Sequence, residues 1–190
     1  MFSQNVDSIL GDLLKALNYR RYIHTLGVAH TATLIGSHYD INLEKVALAG
    51  LLHDCAKELP PEELDMLVKE SNLWNPADCS LPDHQGIKHA PAGGVLAQKK
   101  YGIMDPDVID AITFHTTGHA HPSMLLKILM ISDYLEPTRE YSAQRKNLVQ
   151  TAKYDLDTSL VSMLESKANH LIEVKKKSIH HLTKEMLSSL

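Results

Sequence analysis

Residues 46–57 read VALAGLLHDCAK, seven small or apolar residues followed by His53 and Asp54. Asn42 can cap a helix carrying Leu43, Val46, Ala47 and Leu51 on to the His53–Asp54 pair, and Pro60–Pro61 must end it. Two adjacent ionisable groups at the end of an apolar helix are costly to bury without a partner. A metal ion is one such partner, taking imidazole nitrogen from His53 and carboxylate oxygen from Asp54, a donor set that suits Fe, Mn, Zn or Co. The dipeptide alone proves little. With 12 His and 13 Asp in 190 residues, about 0.8 such pairs arise by chance.

The flanking sequence reads as further helices. Val6, Ile9, Leu10, Leu13, Leu14 and Leu17 recur along one helical face, and a second helix runs from Arg20 to about Tyr39. Pro61 suits the first turn of a fourth helix, with Glu62 and Glu63 favourable at its positive end. Asn75 to His89 is the one long loop, and loops of that length are often functional. Pro91 and Pro106 can each start a helix, the second presenting Val108, Ile109, Ile112 and His115 before Gly118. Ser123 to Leu135 is apolar around Asp133 and closed by Pro137, and a long helical pattern runs from about Asp157 to Val174. Lys175–Lys177 and His180–His181 near its end read as a solvated face. With no strand pattern and no linker, the expectation is an all-α helical bundle in one domain over residues 1–190.

Composition narrows the partners. At 44% hydrophobic and 22% charged the chain is of soluble globular type, and a net charge of −4 offers no basic field for nucleic acid. The apolar runs, Val46–Leu52 among the longest, are far shorter than the ~18 residues of a membrane helix. MFSQNVDS lacks the pattern of a signal peptide, so a cytoplasmic protein without membrane contact is expected. Cys55 and Cys79 form no Cys-x-x-Cys pair and fit a reducing compartment. Twelve histidines against two Phe and one Trp direct attention to histidine.

Two further residues could complete a metal site. His24, in RYIHTLGV, and Asp133, in MISDYLEPTR, both interrupt apolar faces. A satisfied core histidine is the competing account of His24, and a buried salt bridge to Arg139 that of Asp133.

In this order, His24, His53–Asp54 and Asp133 resemble the H…HD…D signature of the HD-domain metal-dependent phosphohydrolases. RYIHTLGV, LLHDCAK, HAPAGG, FHTTG and SDYLEPTR are similar to one branch, the YqeK family of symmetrical diadenosine tetraphosphate hydrolases, over about residues 15–145. The resemblance implies that His24, His53, Asp54 and Asp133 hold the metal, most often iron, with manganese or cobalt as alternatives, and that open coordination positions receive phosphate. It implies that His89 and His115 face the phosphates, as hydrogen-bond donors or ligands of a second ion, and that Arg139 binds the nucleotide. Arg139 could instead orient Asp133 or Glu136. Lys57 would share the face of His53 and Asp54 if their helix continues and could neutralise phosphate, the alternative being a surface lysine. His119 and His121 depart from the family pattern and read as solvated loop histidines.

The activity so implied is cleavage of diadenosine tetraphosphate into two ADP, by metal-activated water attacking an inner phosphorus. Asp54, Lys57, His89 and His115 would be the catalytic groups, Asp54 or a histidine taking the proton. His24, Asp54, Lys57, His89, His115, Asp133 and Arg139 would line the substrate site. A dinucleoside polyphosphate or ADP is the expected small-molecule partner, and a homodimer the implied assembly. Hydrolysis of another nucleotide at the same site, or a nucleotide- or metal-sensing module without turnover, are the rival readings.

Overall fold

A computed structural model describes residues 6–79, 86–138 and 143–190. Ten α-helices occur among them: α1 (Val6–Ala16), α2 (Tyr19–Gly36), α3 (Leu43–Leu52), α4 (Pro61–Glu70), α5 (His89–Tyr101), α6 (Pro106–Phe114), α7 (Met124–Leu135), α8 (Ala143–Ala152), α9 (Leu156–Asn169) and α10 (His181–Ser189). No strand is present among the described residues, so the fold is all-α as the sequence predicts.

Short polar side chains start the helices that carry the site. Asn18 accepts from the Arg21 N–H at α2, Asn42 from Glu44 and Lys45 at α3, Asp105 from Asp107 and Val108 at α6, and Ser123 from Leu126 at α7. Each satisfies backbone donors that the helix itself leaves open, worth about 1 kcal/mol per cap. At the centre stands α7, in which Leu125, Leu126, Ile128, Leu129, Met130 and Ile131 are all buried. A helix apolar around its circumference belongs inside, and each such side chain contributes about 1.5–3 kcal/mol by leaving water. Helices α2 and α3 approach so closely that a Cβ on Gly50 would lie 2.6 Å from the Ala29 Cα, which is why a glycine stands there.

Three expectations are corrected. Helix α3 ends at Leu52, well before Pro60, and turns follow. The His53 ring takes the Gly50 carbonyl at 2.7 Å, the acceptor that a continuing helix would give to the Asp54 N–H. The C-terminal helix stops at Asn169 and widens into a π-helical turn at His170–Val174, after which Lys176 adopts a left-handed φ of 53°. The chain then re-enters a helix, α10, which the sequence reading did not contain. Its cap is His180, buried rather than solvated, with Nδ1 accepting from the Leu182 N–H. Helix α8 also escaped the reading: it is mostly polar, with Leu148, Val149 and Ala152 as its buried anchors.

Candidate metal centre

The site forms where α2 passes the ends of α3, α6 and α7 and the start of α5. His24, His53, Asp54, His89 and His115 are all at most 5% exposed. Their donor atoms make two groups sharing Asp54, His24–His53–Asp54 and Asp54–His89–His115, each with one ligand atom per residue mutually within 4.8 Å. Asp54 Oδ2 faces the first group, 3.5 Å from His53 Nε2 and 3.8 Å from His24 Nε2. Its Oδ1 faces the second, 3.1 Å from His89 Nε2 and 3.8 Å from His115 Nε2. Asp133 is brought to the site through His24, its Oδ1 lying 3.2 Å from Nε2 with 17% of its side chain exposed.

A common device aims the rings. His53, His89 and His115 direct Nδ1 at the carbonyl three residues back, Gly50 at 2.7 Å, Gly86 at 3.0 Å and Ile112 at 2.8 Å. His24 directs its Nδ1 at Glu136 Oε1, 3.0 Å away. Carbonyl and carboxylate oxygens only accept, so Nδ1 holds the proton and the Nε2 lone pair points inward. Two Nε2 pairs, His24 with His53 and His89 with His115, are thereby 3.3 Å apart. Facing acceptors repel unless a proton or cation lies between them, and with Asp54 and Asp133 beside them the donor set fits a metal ion.

The protonation pattern agrees. Burial opposes charging of His53, but Asp54 outweighs it and raises the imidazole pKa. Burial also opposes ionisation of Asp54, yet His53 and His89 hold its carboxyl well below the usual range. Burial, with His53 and His89 adding to it, keeps His115 neutral far below the ordinary value, and burial with Lys57 lowers His89 against the pull of Asp54. Burial and the Asp54 charge push the Cys55 thiol up to about 12, leaving it neutral at physiological pH.

The mouth is cationic. Lys57 Nζ lies 3.0 Å from His89 Nε2 and 4.0 Å from Asp54 Oδ1, carried there by the turn that closes with Lys57 N–H on the Asp54 carbonyl, since no helix continues through it. Arg21 donates to Asp54 Oδ2 at 2.6 Å with 30% of its side chain exposed. Arg21 and Glu136 were not assigned by sequence reasoning. Their signals were spacing: Arg21 precedes His24 by three residues and shares its helical face, and Glu136 follows Asp133 by three. Glu136 is fully buried and also accepts from the Thr138 N–H and hydroxyl. Burial works against its charge, but Thr138 and His24 keep its pKa low. Gly27 makes room for it, because a Cβ there would lie 2.7 Å from Glu136 Oε2. Arg139 lies outside the described residues.

His119 is not a solvated loop residue. It packs edge-on to Phe114 at 4.7 Å, and its Nε2 meets Asp110 at 3.1 Å while Nδ1 faces the Ala120 carbonyl at 2.8 Å. His121, by contrast, is exposed, at a left-handed φ of 56°. The Asp110 bond raises the His119 pKa above its ordinary 6.5, against partial burial. The pair therefore stabilises the fold fully below pH 6.5 and ceases to do so as pH rises through the raised value. For a partly exposed pair the effect is about 0.5 kcal/mol. His119→Gln should lower the melting temperature at pH 5.5 and by less at pH 8.5; an equal loss at both would show packing on Phe114 to be its whole role.

Comparison with known proteins agrees with this geometry. The HD domain family matches residues 21–138. The symmetrical bis(5'-nucleosyl)-tetraphosphatase of Bacillus subtilis (strain 168) is 32% identical over 163 residues, 85% of each chain. The protein of that name from Halalkalibacterium halodurans is 35% identical over 83% of this chain and 82% of its own. A crystal structure from Clostridium acetobutylicum, described as a predicted HD superfamily hydrolase involved in NAD metabolism, superposes with a TM-score of 0.86 at 35% identity, covering 97% of this chain and 96% of that one. The chain belongs to the HD-domain family, in its branch of YqeK-type symmetrical tetraphosphatases.

Proposed function

We propose that this protein hydrolyses diadenosine tetraphosphate symmetrically into two ADP, at a metal centre held by His24, His53, Asp54 and Asp133. The observation that carries the reading is the pair of donor groups sharing Asp54 under a cationic mouth, in a chain whose relatives bear that activity in their names. A bound ion supplies Lewis acidity and an acidified water to such a site. The chain's own residues do the rest. Arg21 and Lys57, both partly exposed at the entrance, bind the phosphate oxygens and stabilise charge as it moves to the departing ADP. Asp54, held ionised, and the neutral rings of His89 and His115 are placed to take the proton of the attacking water. Arg139 keeps the phosphate-binding role that the resemblance implies.

His89 and His115, which face the second oxygen of Asp54, would hold a second cation with that carboxylate if one is bound, and Asp54 would then be left to take the proton. We take iron as the ion, with manganese or cobalt accepted by the same donors. The cytoplasm as compartment and a homodimer as assembly belong to the same reading; among the described residues no helix is long and apolar enough to cross a membrane.

The test is incubation of protein purified without chelator with diadenosine tetraphosphate and a nucleotide panel, resolved by anion exchange. ADP as sole product, lost on chelation and restored by iron or manganese, is expected. AMP plus ATP would discard the symmetrical cleavage and turnover of other nucleotides alone would discard the substrate, and either would keep the metal centre.

A further inference from the structure

The two cations at the entrance stand on separate parts of the chain, Arg21 on α2 and Lys57 in the turns beyond α3. The backbone around Lys57 is a succession of three-residue turns: the Cys55 N–H donates to the Leu52 carbonyl, Lys57 to Asp54 and Leu59 to Ala56. Turns of this kind hold one another less firmly than the i→i+4 ladder of a helix, so the position of Lys57 depends on side-chain anchors. A phosphate chain that touches both cations needs their spacing held, because ordering loose groups at the moment of binding costs affinity.

One side chain joins the two segments. Asn18 is exposed outside the metal centre, at the start of α2 and three residues before Arg21. Its Oδ1 accepts from the Arg21 N–H at 3.0 Å, and its Nδ2 donates to Glu58 Oε1 at 2.5 Å. These partners fix the orientation of the amide, since a backbone N–H only donates and a carboxylate only accepts. Glu58 is the residue after Lys57. The amide therefore spans the backbone of one entrance cation and the immediate neighbour of the other.

A second link between the same segments, Arg21 to Asp54 at 2.6 Å, uses the guanidinium that phosphate needs and the carboxylate that a metal needs. The bond from Asn18 to Glu58 uses neither, so a filled site leaves it intact. A carboxylate near the mouth would by itself repel a polyanion. At the positive end of α2 the Glu58 charge is instead favourable.

We propose that Asn18 and Glu58 are a positioning pair for polyphosphate binding, an amide–carboxylate bridge that sets the spacing of Arg21 and Lys57 while touching neither metal nor substrate. This rests on the phosphate-binding role given to those two cations above.

The test is calorimetric titration of tripolyphosphate, a phosphate chain without nucleosides, into the metal-loaded protein at fixed ionic strength. Asn18→Ser keeps a helix cap and adds no charge but cannot reach Glu58, and affinity should fall about 3- to 10-fold. Glu58→Ala should act alike. By charge alone, removing a carboxylate beside the entrance would tighten a polyanion, so the sign of this change separates the bridge from simple electrostatics. Asn18→Asp combined with Glu58→Gln exchanges donor and acceptor at unchanged net charge, and should return the affinity to within about twofold of the unaltered protein. Metal content should stay constant throughout, and in turnover KM should rise by the same factors with kcat within about twofold. A residue that only starts the helix would shift the melting temperature and show no such rescue. Losses below about twofold in both single variants, tighter binding by Glu58→Ala, or a double variant no better than Asn18→Ser overturns the proposal. Failure of the unaltered protein to bind tripolyphosphate also overturns it. If that protein leaves diadenosine tetraphosphate intact, the hydrolase reading fails, while the titration still decides the bridge.

Discussion

Asp54→Ala is expected to lose activity by a factor on the order of 10³ or more, and its metal with it, while helical circular dichroism stays essentially unchanged. Asp54 is the one residue common to both donor groups, with an oxygen facing each. Without it, buried imidazoles converge with no anion between them, and a cation loses the charge that holds it. The fold should survive, because Asp54 lies in a turn beyond α3 and its carboxylate pairs with Arg21, His24, His53, Lys57, His89 and His115 of the site, while Arg21 is exposed enough to turn to water. His53→Ala should act in the same direction, as its ring supplies an inward lone pair from a fully buried position. Activity assays, elemental analysis and circular dichroism on the same preparations check this. Full turnover by metal-depleted Asp54→Ala protein would sink the metal mechanism.

Glu136→Ala is expected to weaken metal binding about 10- to 100-fold, with turnover recovering as metal is raised. Glu136 reaches the centre through His24, fixing which ring nitrogen carries the proton and where the other points. Glu136→Gln retains an acceptor for His24 but turns a donor toward the Thr138 N–H that now bonds Oε2, so its loss should be intermediate. Competition with a chelator of known affinity measures both. Metal affinity unchanged in Glu136→Ala would confine the residue to holding the turn at Thr138. A loss of turnover not recovered by added metal would show instead that Glu136 acts directly on the reaction.

Much of this was legible in the chain. The all-α class followed from helical spacing in the N-terminal segment, from Asn42 as a cap and from Pro61 and Pro106 at helix starts, all local preferences that survive in the structure. His24, His53–Asp54 and Asp133 could be singled out because each is an ionisable interruption of an apolar pattern. What stayed hidden was whatever a single side chain decides at a distance or a break in regularity. The end of α3 at Leu52 depends on the His53 ring capturing a carbonyl of its own helix. The buried setting of His180 depends on a left-handed Lys176 turning the chain back over Trp74.

The sequence by itself determined the class of fold, the four residues offered as metal ligands and the phosphohydrolase family they resemble, because periodicity, caps and misplaced charges are written in neighbouring residues. Only the tertiary structure decided that Asp54 serves two groups at once, that Arg21 and Glu136 flank it, and that His119 is paired while His121 is free to face water. Those relations join residues up to 112 positions apart, as in His24 and Glu136. No local pattern encodes such a distance; it closes only when α7 is buried beside α2 and brings their polar positions face to face.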